Sequence, residues 1–199
     1  MTTPERTLTD ELRSIRRRAN QQSSIHAHLR DSNAFRSSLL DYGTLAVSTY
    51  LVALIFVEPQ IGIRLTFGLD VQLWVGSLSL LTFFLSIVQF KSDWKSKTQA
   101  HARSCKEYSV VTGDCRELLS KGRSVTNQEF QRLRTKYDLV SELGTHIPDR
   151  DFLTGKAHHL RKVFISRYLD RYPGAWVPLV RARLLLRDTL KPLGTDDGN

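Results

Sequence analysis

The sequence predicts an all-α membrane protein: a two-span transmembrane hairpin continuous with cytoplasmic antiparallel helices, followed by C-terminal cytoplasmic helices. Three observations carry this. Apolar residues concentrate between Leu39 and Phe90, although mean hydropathy over the 199 residues is only -0.28. The flanking segments repeat their apolar residues at helical steps. Lys and Arg gather outside the apolar stretches rather than between them.

The expected parts are an N-terminal amphipathic helix within residues 1–41, a hairpin over 39–90, cytoplasmic helices over 91–150 and a basic helical extension over 151–199. In the first part Leu8, Leu12, Ile15, Ala19, Gln22, His26 and Leu29 alternate steps of four and three, a heptad-like seam on a helix over residues 8–36. Arg13, Arg16, Arg17, Arg18 and Arg30 decorate its flanks, and Thr9 or Asp10 suits its cap.

Tyr42 to Val57 holds no charge, and Glu58-Pro59 interrupts it. Crossing a bilayer takes roughly 20 residues, so either Leu39 and Leu40, with or without Ile61 to Ile63, contribute or the helix sits in a thinned bilayer; the span is placed at about 39–57. The second stretch, Val71 to Phe90, is twenty residues without a charge, giving a span over about 70–90. Trp74 lies near one end, with Lys91, Trp94 and Lys95 beyond the other, as interfacial anchors do. Between the spans, Pro59, Gly62 and Gly68 punctuate a turn. The buried helix of a soluble protein is the competing reading of either stretch, and two in succession weigh against it.

Charge sets the orientation. Arg30 and Arg36 precede the first span, Lys91, Lys95, Lys97 and Arg103 follow the second, and only Arg64 lies between. Both termini are therefore expected in the cytoplasm. Of the formal charge of +9, nearly all lies beyond the second span, where 21 basic residues face 13 acidic ones. That surplus suits anionic lipid and orientation better than nucleic acid, which is not expected as a partner.

Past the membrane Trp94, Thr98, His101, Cys105, Tyr108, Thr112, Cys115 and Leu119 again alternate steps of four and three. The second span is expected to continue into this helix and pack against residues 8–36. Further helices are predicted over 127–142, 150–171 and 175–190, with a break at Lys121-Gly122, a stop at Gly144 to Pro148 and a disordered tail from Gly194.

No Gly-rich phosphate loop, zinc-spaced Cys pair or nucleophile elbow appears, so no enzyme, cofactor or metal is expected. His101 and Cys105 lie one turn apart, but two ligands do not make a structural zinc site; His158 and His159 diverge on a helix. Cys105 and Cys115 would stand about 15 Å apart on one helix, beyond disulfide reach. The first thirty residues hold no apolar segment, so a cleaved secretory signal is not expected.

Two groups remain as candidate functional residues. On the second span Gln72, Ser79, Thr82, Ser86 and Gln89 form a polar stripe that must face another helix or an aqueous lumen. One hairpin cannot enclose a lumen, so a pore requires several copies with the second spans innermost. In the extension Arg161, Lys162, Arg167, Arg171, Arg181, Arg183 and Arg187 are candidates for contact with a partner or lipid headgroups. Their plainer reading is a solvated face opposite Leu160, Phe164, Tyr168, Leu184 and Leu185.

The order of parts, with Phe90, His101 and Tyr108 in the stretch leading out of the second span and Lys136-Tyr137-Asp138 followed by His146-Ile147-Pro148, resembles the SLATT family of two-transmembrane prokaryotic conflict-system proteins. The likeness covers about residues 8–150; Thr98 stands where the family usually has Ala, and Val110 or Val111 where Leu follows the Tyr. It implies a homo-oligomeric effector of the bacterial inner membrane that permeabilises the bilayer when a sensor or nucleotide-signalling partner detects infection. The alternative is a non-conducting, membrane-anchored scaffold that recruits a partner through its basic helices.

Overall fold

The computed structural model describes residues 4–56, 70–121 and 125–190. The predicted turn at Pro59 to Gly68, the break at Gly122 and the tail from Gly194 lie outside them. All elements among the described residues are helices: α1 (Pro4–Phe56), α2 (Val71–Ser92), α3 (Trp94–Ser120), α4 (Asn127–Leu143), α5 (Asp149–Arg171) and α6 (Val177–Leu190). They fall into two units, residues 1–146 and 147–199.

The amphipathic segment and the first apolar stretch are one helix. No Gly-Pro pair or other breaker separates Leu29 from Tyr42, so α1 runs 53 residues, about 80 Å at 1.5 Å per residue. The second rod is jointed. Asp93 takes a left-handed conformation, with φ 45° and ψ 41°, between α2 and α3. Asp is one of the few side chains that visits this region at modest cost, so the joint lands on it. Asp70 caps the other end of α2, accepting from the backbone N–H groups of Gln72 at 2.8 Å and Leu73 at 3.4 Å.

Two helices are long and apolar enough to cross a membrane, one containing residues 39–56 and the other beginning at Val71. Their apolar parts pack side by side, Trp74 Nε1–H donating to the Tyr50 hydroxyl at 3.4 Å. Large side chains such as Leu73, Leu80, Phe83 and Phe84 point outward from this hairpin. In a soluble protein that face would be inverted.

Along the polar ends, α1, α3 and α4 form a bundle with a core of Leu12, Ala19, Tyr108, Val111, Cys115, Phe130, Leu133 and Val140. The predicted seams supply most of it: Leu12, Ala19 and His26 from α1 are buried, as are His101, Tyr108, Thr112 and Cys115 from α3. The α4 helix starts with a capping box in which Thr126 Oγ1 accepts from the Glu129 N–H and Glu129 accepts from the Thr126 N–H. Lys136 Nζ pairs with Asp114 at 2.6 Å on the bundle surface.

In the second unit α5 and α6 pack through Ile165 and Leu184, both buried. Asp149 and Asp151 sit in the first turn of α5, where acidic groups complement the helix dipole. The Tyr168 and Tyr172 rings meet at 5.0 Å between centroids, tilted by 42°, where α5 ends.

Candidate functional site

Two polar constellations stand out, one in the bundle core and one on the apolar hairpin. The first is built on a histidine pair. His26 from α1 and His101 from α3 bring their Nδ1 atoms to 3.0 Å, and they are only 2% and 8% exposed. At that distance one Nδ1 carries the proton and donates while the other accepts. A second proton would set two N–H groups against each other. Burial, reinforced by His101, lowers the His26 imidazole to about 4.

Aromatic rings extend the pair. Tyr108 stacks on His26 with centroids 5.6 Å apart and planes 17° from parallel, and Tyr137 of α4 leans on Tyr108 at 6.3 Å. Burial, then Tyr108, raises the Tyr137 phenol above its ordinary value, so it is a neutral hydrogen-bonding group at physiological pH. The chain after α4 closes over this column. Ser104 donates to Thr145 Oγ1 at 3.3 Å and accepts from the Thr145 N–H at 3.2 Å. Ser23 adds a hydrogen bond to Ser109 at 2.8 Å and lies 3.6 Å from Cys105 Sγ.

His101, Tyr108 and Tyr137, quoted above for the family resemblance, thus meet in one column, with His26 as a fourth member. Phe90 lies apart on the hairpin, 90% exposed. Ile147 and Pro148 open the second unit, where Pro148 precedes the first turn of α5. Among the described residues no cluster of three or more His, Cys, Asp or Glu is arranged to hold a metal. Cys115 is a buried core thiol, raised to about 11 by burial and then by Asp114, which makes it a poor nucleophile.

The second constellation is the stripe on α2, and the structure divides it. Thr82 and Gln89 fall on the side packed against α1, while Gln72, Ser79 and Ser86 are exposed. Helical geometry explains the division. Seven residues fall about 20° short of two full turns, so Gln72, Ser79 and Ser86 stay within about 40° of one another on the flank. Gln89 donates to Asp41 of α1, whose other carboxylate oxygen pairs with Lys95 at 3.0 Å. Thr82 and Ser86 return their hydroxyls to the carbonyls four residues earlier, at 2.9 Å each. On the facing helix the Thr44 hydroxyl is buried and makes no hydrogen bond among the described residues.

The basic candidates sit in the second unit. Lys162, Arg167, Arg171, Arg181 and Arg183 are exposed, Arg161 is half-buried, and the Arg187 guanidinium lies 5.3 Å from the centre of the Phe164 ring. They do not oppose a fully buried apolar face: Leu160, Phe164 and Leu185 are themselves exposed, and Leu184 alone of the five apolar residues named above is buried. A two-helix unit has too little partner surface to cover both sides of each helix.

No protein family, curated protein or solved structure matches the chain.

Proposed function

We propose that the chain is a two-pass protein of the bacterial inner membrane, with both termini cytoplasmic, that assembles into homo-oligomers and opens a water-filled path through the bilayer. Activation would come from a partner acting on the polar bundle. The observation that carries this reading is the exposed flank of α2. Gln72, Ser79 and Ser86 lie there among outward-facing Leu and Phe residues. Ser86 satisfies its hydroxyl on the Thr82 carbonyl within α2, but a row of polar side chains along one flank is better placed against another helix or water than against lipid, and this chain leaves the flank open to both.

The likeness to the SLATT family supplies the setting, in which leakage of the membrane stops growth of an infected cell. A non-conducting scaffold is the second reading, favoured by the exposed basic residues of α5 and α6. Release of a trapped dye from vesicles carrying the purified full chain separates the two. Under the pore reading, Ser79→Leu/Ser86→Leu abolishes release while leaving insertion intact, and Ser77→Leu, off that flank, leaves release unchanged. Vesicles that stay sealed with the unaltered chain, under oligomerising conditions, favour the scaffold.

A further inference from the structure

We propose that the α5–α6 unit lies on the anionic surface of the membrane that the hairpin crosses, with its exposed apolar stripe in the headgroup layer; this rests on the two-pass reading above. Trp176, whose carbonyl accepts from the Leu179 and Val180 N–H groups at the start of α6, and Leu179, Leu186 and Leu190 of α6 fall on one side and are each more than 60% exposed. Counting about 100° per residue, they span about 80°, with Arg183 in their midst. On α5, Leu160 and Phe164 present a second exposed stripe edged by Arg167 and Arg171.

Phe164 also lines a groove of about 320 Å³ between the two helices, together with Tyr168, Val180, Leu184, Arg183 and Arg187. Aromatic and Leu side chains beside Arg, on a helix with Trp at its start, have the chemistry of the headgroup boundary. Charge is complementary to acidic lipid: α5 and α6 together carry nine basic residues against four acids, Asp149, Asp151, Asp170 and Asp188. A nucleic-acid partner would explain the Arg residues but not the four-residue apolar stripe beside them.

Connectivity puts the unit within reach. Thr145, the penultimate residue of the first unit, is hydrogen-bonded to Ser104. Ser104 lies eleven residues beyond Asp93, or about 17 Å along α3 from the end of the apolar hairpin. The 23 residues of α5 span about 35 Å, ample to return to the surface.

The test uses the full chain reconstituted in vesicles, with Trp176 as sole tryptophan (Trp74→Phe/Trp94→Phe) or Trp74 as sole tryptophan (Trp94→Phe/Trp176→Phe). In vesicles containing phosphatidylglycerol, Trp176 emission should be quenched by nitroxide lipids labelled near the headgroup. It should also be shielded about twofold from aqueous acrylamide relative to pure phosphatidylcholine vesicles. Arg183→Gln/Arg187→Gln should remove the difference between the two lipids. Trp74 quenched by a deep nitroxide while Trp176 stays equally open to acrylamide in both lipids overturns the docking and leaves the two-pass reading standing. Loss of quenching at both positions overturns both. Shielding of Trp176 that appears only on adding nucleic acid or a soluble protein also overturns it.

Discussion

His26 and His101 share one hydrogen bond, Nδ1 to Nδ1 at 3.0 Å, in the core where α1 and α3 cross into the bundle. The bond needs one proton between two rings, and the surroundings give no room to solvate a second charge. The pair therefore couples packing to protonation, and a pH dependence follows.

In the folded chain His26 takes up its proton near 4, against about 6.5 when unfolded. Between those values the unfolded state binds more protons, so stability is present in full above pH 6.5 and is lost as pH falls toward 4. The shift corresponds to about 3–4 kcal/mol at most. Thermal melts of the detergent-solubilised protein at pH 7.5, 5.5 and 4.5 should show a progressive drop. His26→Leu should flatten that dependence, and an unaltered slope would refute the assignment.

Removing one member of the pair breaks the buried hydrogen bond. His26→Leu or His101→Leu alone should cost about 1–3 kcal/mol for the lost Nδ1–Nδ1 bond, whereas the double substitution should cost less than the sum. Equal and additive losses in a double-mutant cycle would show that the rings do not interact.

Gly144 permits the chain to turn over the aromatic column. A Cβ there would stand 2.9 Å from the Val140 carbonyl oxygen and 3.7 Å from the Tyr108 hydroxyl. Gly144→Ala should therefore displace the turn, loosen the Ser104–Thr145 contacts and lower stability by about 1–3 kcal/mol. Faster exchange of the Thr145 amide is the local readout; an amide as protected as in the parent would count against it.

Thr126→Ala removes half of the capping box at the start of α4 and should cost about 1 kcal/mol. Thr126→Ser should restore most of it, because the oxygen is what accepts from the Glu129 N–H. Denaturant midpoints of the two variants decide the matter.

Asp41 gathers Gln89 and Lys95 from across the hairpin. Asp41→Ala should weaken the union of α1 with α2, measured as slower disulfide trapping between cysteines introduced at Ser48 and Leu78. Trapping at the parental rate would place the closure energy elsewhere.

Periodicity made much of the helical plan legible. The alternating steps through Leu12, Ala19 and His26, and through His101, Tyr108 and Cys115, place residues that are buried. Ile25 escaped that pattern, although it is fully buried, because a seven-residue repeat drifts on a 3.6-residue helix and brings an adjacent position inward. The meeting of His26 with His101 was not readable. It depends on the register between segments 75 residues apart, and each ring fits its own seam without the other. Drift also divided the polar stripe, turning Thr82 and Gln89 toward α1. The joint at Asp93 carried only a faint signal, since an Asp between two helical patterns is as often a surface residue as a left-handed one.

The uninterrupted α1 and the joint at Asp93 make a mechanical pair. A continuous rod of about 80 Å lies beside one whose helix is interrupted at a single residue. Force on the polar end of α1 has an unbroken run of helical hydrogen bonds along which to reach the apolar end, and α2 and α3 lack that continuity at Asp93. A slide of α1 along α2 would have to break the contacts that Asp41 makes with Gln89 and Lys95.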